Sequence, residues 1–173
     1  LHTRETPVVH RDLKPENLFL QQPEDHVKVL DFGIAKIEVQ GQNLTKTSAS
    51  LGTPNYMSPE QLKDARTVDA STDSFALASI AYECLTGQMA WPGEGIAGVV
   101  LAIFDGPRPR PSAYRPELST AVDQVLERAW CVDRRGRFAS AAAFVEAFTK
   151  AALHGVPPEG LQDLPGGLRR PSL

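Results

Sequence analysis

One short stretch near the start of the chain holds a dense set of residues able to do chemistry. Residues 8–20 read V-V-H-R-D-L-K-P-E-N-L-F-L, and place His10, Arg11, Asp12, Lys14 and Asn17 within one loop. These residue types suit phosphoryl transfer, which asks little covalent work of a protein. It needs a positioned hydroxyl, neutralised phosphate charge and a bound divalent cation. A carboxylate at Asp12 can accept the proton of an attacking hydroxyl and orient it. Lys14 offers a mobile cation for the transferring phosphate. Asn17 and Asp31 offer hard oxygen ligands, which suit Mg²⁺. Gly33 lets the chain turn sharply after the Asp31 carboxylate.

Three motifs then occur in order: H-R-D-L-K-P-E-N at 10–17, D-F-G at 31–33 and G-T-P-N-Y-M-S-P-E at 52–60. With these three in sequence, the chain resembles the eukaryotic-like (Hanks-type) serine/threonine protein kinases from about residue 1 to 152. The runs D-F-G-I-A-K and Gly-Thr-Pro-x-Tyr-Met resemble bacterial members. The resemblance implies ATP-dependent phosphorylation of serine or threonine on a protein substrate, with ATP and Mg²⁺ (or Mn²⁺) as cofactors. Asp12 would be the catalytic base, and Asn17 and Asp31 the metal ligands. Lys14 occupies the position typical of serine/threonine rather than tyrosine kinases, beside the nucleotide phosphates. Thr53 matches a threonine whose hydroxyl links to the catalytic Asp and Lys. Phe19 falls where the family places an apolar floor under the adenine.

The same resemblance implies regulatory and structural roles. Arg11 matches the family's sensor for a phosphorylated activation loop, since Arg pairs bidentately with the −1.5 to −2 charges a phosphate brings. Thr45, Thr47, Ser48 and Ser50 are the candidate phosphorylation sites. Glu60 resembles the glutamate that closes the activation segment, and Arg137 its distant partner. Asp73 resembles the aspartate that holds the backbone of the catalytic loop. Ser58 stands where Ala is usual and Ala78 where Gly is common; neither touches the chemistry.

The elements that must position these residues can be read from patterning. Leu18-Phe19-Leu20 and Val27 to Leu30 read as short strands joined by a turn over Gln21–His26, and Val8-Val9 as a further extended piece. Residues 38–55 lack either period and read as a long surface loop. Thr72 to Leu85 is apolar nearly all round, which predicts a buried central helix stopped by Gly87. Apolar residues at 96, 99, 100, 103 and 104 predict a second helix. Gly106 to Pro116 carries four prolines and reads as a loop. Leu118 to Ala129 predicts a third helix, and Ser140 caps a fourth that carries Phe144, Val145 and Phe148. Cys84 and Cys131 fall within apolar patterns and read as reduced core cysteines. The expected fold is α+β by family and mainly α-helical here: a kinase-like C-lobe with short strands near the catalytic loop and about four larger helices around a buried one. Residues 1–152 form this lobe, and 153–173 a flexible tail ending in a basic-directed phosphorylation motif, Arg169-Arg170-Pro171-Ser172.

Composition sets limits on function. The 173 residues are 42% hydrophobic and 23% charged with net charge −3, ordinary for a globular domain and contrary to nucleic-acid binding as the main role. No apolar run reaches membrane-spanning length, and no signal peptide is recognisable, so a cytoplasmic setting is expected, with any membrane anchor elsewhere in a parent protein. No His or Cys pair has zinc-ligand spacing. The glycine-rich phosphate loop, strand lysine and helix glutamate of complete kinases are absent from these residues. The chain therefore reads as a C-terminal lobe that relies on an N-terminal lobe in cis, weak or inactive alone, with exposed apolar surface where that lobe would sit. Two other readings compete: a non-catalytic lobe that docks a protein partner, and a small-molecule phosphotransferase. The intact Asp12, Asn17 and Asp31 speak against the first, and Lys14 with the Gly52–Glu60 segment against the second.

Overall fold

A computed structural model describes residues 9–23, 26–31, 53–64 and 68–155. Strands β1 (Leu18–Gln21) and β2 (His26–Val29) form an antiparallel pair with Leu18 opposite Val29 and Gln21 opposite His26. Helices follow: α1 (Pro59–Asp64), α2 (Ala70–Thr86), α3 (Gly95–Asp105), α4 (Thr120–Ala129) and α5 (Ala141–His154). Val9 lies in neither strand, and Val8 falls outside the described residues. So do most of the expected long loop, the four candidate phosphorylation sites and the tail beyond Gly155.

Three of the helices start where a side chain caps the first turn. The Asp69 side chain accepts from Ser71 N–H at the start of α2, Ser119 from Ala121 N–H at α4, and Ser140 from Ala143 N–H at α5. Gly87 ends α2 in the left-handed conformation, φ 69°, open to glycine at no steric cost. Helix α1 was not anticipated. It opens after Ser58 with Pro59-Glu60-Gln61, and Gln61 Oε1 accepts from Ser58 N–H at 3.1 Å, the back-reaching half of a capping box.

Helix α2 is the axis of the helical part, with α4 and α5 packed against it. Phe75, Ala78 and Tyr82 meet Trp91, Val122, Leu126 and Trp130 in one buried cluster. Trp91 and Trp130 are both fully buried, and both indole N–H groups donate to Ser79 Oγ at 3.2 Å. Ser79 in turn donates to the Phe75 carbonyl at 3.1 Å. One hydroxyl thus satisfies two buried donors and spends its own proton within the helix. A smaller cluster of Leu13, Tyr56, Ala76 and Ile80 joins the 10–17 loop to the other face of α2.

Two expectations need correction. Helix α2 is not buried all round: Leu85 is only partly buried at its last turn, where the helix runs out past the packed helices. For the same reason Cys84 is exposed, and Cys131, just beyond α4, is only partly buried. Both thiols are free, but neither is a core residue.

Candidate active site

The loop at residues 10–17 takes its shape from α2. The Asp73 carboxylate, in the first turn of α2 and 2% exposed, accepts from two consecutive backbone amides: His10 N–H at 2.9 Å and Arg11 N–H at 3.0 Å. Arg11 has φ 67°, a left-handed conformation that a long side chain seldom adopts. The two Asp73 bonds hold it there, together with Gln61 Nε2, which donates to the Arg11 carbonyl at 2.7 Å. Gln61 thus serves both the α1 cap and the loop. It was missed as a positioning residue, although the S-x-x-Q spacing at 58–61 was legible.

His10 is buried and ties the loop to the strand ribbon. Its Nδ1 accepts from Asp12 N–H at 3.3 Å, so the ring proton lies on Nε2, which donates to the Leu30 carbonyl at 3.0 Å. Asn17 makes the second tie: its carbonyl accepts from Leu30 N–H at 2.8 Å, next in the chain to Asp31. These bonds set Asp31 beside the loop although it is fourteen positions beyond Asn17. Asp31 itself sits at φ 49°, a second left-handed residue.

Asp12, Lys14 and Asn17 converge. Asn17 Nδ2 donates to the Asp12 carbonyl at 2.7 Å and to Asp12 Oδ2 at 3.3 Å. Lys14 Nζ stands 3.9 Å from Asp12 Oδ2, with both side chains about one-fifth exposed. The bonds of Nδ2 leave Asn17 Oδ1 as its oxygen donor. Asn17 Oδ1 and the Asp31 carboxylate are hard ligands of the kind Mg²⁺ takes from protein, the rest coming from water and phosphate. Among the described residues no cluster of three or more His, Cys, Asp or Glu side chains forms, so a protein-only cage for a softer metal is not found there. Thr53 lines the same small cavity as Arg11, Asp12 and Lys14, about 10 Å³ and sized for one water, without a hydrogen bond to either Asp12 or Lys14. Phe19 is on β1, 62% exposed.

Below this site the segment from Thr53 to Asp64 is pinned to the core. Arg137 forks onto Glu60, Nη1 to Oε1 at 2.8 Å and Nη2 to Oε2 at 2.7 Å. Arg137 Nε donates to the Cys131 carbonyl at 2.7 Å, its guanidinium lies over the Phe75 ring, and Thr72 Oγ1 donates to Glu60 at 2.7 Å. Burial pushes the Glu60 carboxyl up, but the Arg137 bonds and charge, helped by Thr72, outweigh it and hold the group below the usual glutamate range. Tyr56 adds another tie, donating to Glu83 at 2.5 Å; burial first, then the Glu83 bond, raises its phenol far above the usual tyrosine range.

Comparisons with known proteins identify the family. The family model described as "Protein kinase domain" matches residues 1–149. The chain is similar to the serine/threonine-protein kinase Pkn1 of Myxococcus xanthus, 42% identical over 164 residues, covering 93% of this chain and 24% of that protein. It is similar to pkn3 of the same organism, 38% identical over 160 residues, covering 88% and 28%. It is also similar to PknB of Mycobacterium tuberculosis, 36% identical over 154 residues, covering 88% and 24%. The chain thus spans about a quarter of the length of the curated relatives it matches. No helix among the described residues is long and apolar enough to cross a membrane. With a kinase family model over nearly all of its described residues and bacterial kinases more than one-third identical to it, the chain belongs to the protein kinase domain family of serine/threonine type.

Proposed function

We propose that these residues form the catalytic-loop side of a serine/threonine protein kinase active site, which transfers the γ-phosphoryl group of ATP to a protein hydroxyl. One observation carries the reading: a carboxylate at Asp12, oriented by Asn17 Nδ2 and 3.9 Å from the Lys14 ammonium, on a loop whose backbone is locked to α2. In the transfer, the substrate oxygen forms a bond to the γ-phosphorus as the bond to the bridging oxygen of ADP breaks, and the hydroxyl proton passes to Asp12. Lys14 offsets charge on the moving phosphoryl oxygens. Asn17 Oδ1 and Asp31 would hold Mg²⁺, or Mn²⁺ in its place, which when bound supplies charge neutralisation on the nucleotide phosphates.

The β1–β2 ribbon supports a second part of the reading. Phe19 and Leu20 point to opposite faces of β1, and both are more than half exposed, as is Val27. This bare apolar ribbon beside Asn17 and Asp31 suits an adenine floor at Phe19 and the closing surface of a glycine-rich lobe supplied in cis. Without it, half of the nucleotide site is missing, and ATP binding and turnover are weak. Arg11, whose guanidinium has no ion pair among the described residues, is the cation that a phosphate on Thr45, Thr47, Ser48 or Ser50 would engage; those four residues lie outside the described ones.

Asp12→Asn tests the assignment in the full-length parent protein. Loss of the base lowers phosphate transfer by roughly 10²–10⁴-fold with an unchanged melting temperature. Near-normal turnover in that variant would remove Asp12 from the role.

A further inference from the structure

On the far side of α2 a groove of about 450 Å³ opens between the end of α2, the loop before α3 and the loop after it. Its size falls in the range of ligand-binding clefts. Trp91 and Tyr82 line its buried part, and Met89 (46% exposed) and Tyr114 (58% exposed) stand at its mouth. Two cations line it as well, Arg108 and Arg110. Arg108 is only partly solvated. Its Nη1 donates to the Ile103 carbonyl at 2.9 Å and its guanidinium lies over the Trp91 ring, yet neither arginine has a carboxylate at ion-pair distance among the described residues. Burial pushes the Arg108 guanidinium down from the usual arginine range, and the charge of Glu127 offsets this only in part.

A desolvated arginine beside aromatic rings is the composition of an interface anchor. An apolar side chain fits between Met89 and Tyr114, and an adjacent carboxylate completes the charge of Arg108 and Arg110. The groove is also wired to the catalytic side. Asn55, in the segment between Thr53 and α1, donates through Nδ2 to the Trp91 carbonyl at 2.7 Å. We propose that this groove docks an acidic–apolar segment of the protein substrate, an aromatic or aliphatic residue flanked by Asp or Glu, apart from the phosphorylated residue itself; the substrate assignment rests on the kinase reading above.

The test has a binding arm and a kinetic arm. Fluorescence anisotropy of a labelled peptide carrying Glu-Phe-Glu is followed against the full chain. Expected is saturable binding, weakened about fivefold or more by Arg110→Glu and by exchanging the peptide's Glu for Gln. Arg110 is exposed, so its substitution leaves the melting temperature in place, whereas Arg108→Gln also removes the stack on Trp91. No saturation by about 1 mM, or equal affinity for the Gln-Phe-Gln peptide, overturns the groove. Competition by free 3-phenylpropionate as strong as by the peptide overturns a protein segment in favour of a small aromatic acid. In the kinetic arm, the full-length parent protein phosphorylates a serine peptide with and without Glu-Phe-Glu on a flexible Gly-Ser linker. Docking lowers KM about fivefold and leaves kcat alone; equal KM values overturn the link to substrate. Peptide binding with no phosphorylation of any acceptor would bring down the kinase reading and the substrate assignment, while the groove stood as a binding site.

Discussion

The two sides of the candidate site are built in opposite ways. On the helical side, the buried polar groups that shape the site are paired: Asp73 with two amides, Arg137 with Glu60 and the Cys131 carbonyl, two indoles with Ser79. On the ribbon side, two paired strands carry apolar side chains into solvent on both faces. A two-stranded ribbon is marginal by itself; this one holds its position through Leu30, which bonds to His10 and Asn17. The contrast separates what the described residues settle among themselves from what they leave facing solvent. The loop that carries Asp12 belongs to the first kind, and the surface beside Asp31 to the second.

Substitutions on the helical side should be the costly ones. Arg137→Ala leaves Glu60 charged beneath the surface and removes the clamp on α1. A loss of about 3–5 kcal/mol is expected in chemical denaturation, and an unchanged midpoint would deny the pair its role. Ser79→Ala strands two indole N–H groups at once, which costs about 2–6 kcal/mol at roughly 1–3 kcal/mol for each unsatisfied donor; Ser79→Thr, which keeps the hydroxyl, should recover part of it.

A milder perturbation is acid. The folded Glu60 carboxyl lies below its ordinary value of 4.5, so its contribution is complete above that pH and is lost as pH falls through the lower folded value. Melting temperature should therefore drop below about pH 4.5, and Glu60→Gln should flatten that part of the profile at the cost of lower stability throughout.

The smallest effect belongs to the ribbon. Phe19→Thr should change stability by less than about 0.5 kcal/mol, because the ring gives up little burial. It should nonetheless reduce self-association in sedimentation, since it shrinks an exposed apolar patch. A large loss of stability would mean that Phe19 is packed, and would erase the contrast between the two sides.

Much of this could be read from residue order, for reasons that differ by element. The helix over 70–86 announced itself by residues apolar nearly all round and a glycine stop, and the helix at 141–154 by Ser140. Asp12, Lys14 and Asn17 were legible because their spacing is local. Helix α1 was hidden by its six residues, too few to show a period, though its capping pair was in plain view. The role of Ser79 was not legible at all. A serine in an apolar helix looks like a tolerated small residue until Trp91 and Trp130, 12 and 51 positions away, arrive at the same oxygen. The exposure of Cys84 was misjudged because an all-round apolar pattern says nothing about where a helix leaves its neighbours.

The bond from His10 to Asp73 joins residues 63 positions apart. The 10–17 loop leaves the ribosome ahead of both partners, and nothing can hold Arg11 in its left-handed conformation until Gln61 and Asp73 have followed. Closing so long a loop is a slow entropic step compared with winding a helix. The arrangement of Asp12, Lys14 and Asn17 is therefore completed only after the first turn of α2 has been made, and a nascent chain stalled before that helix carries the chemical groups without the arrangement.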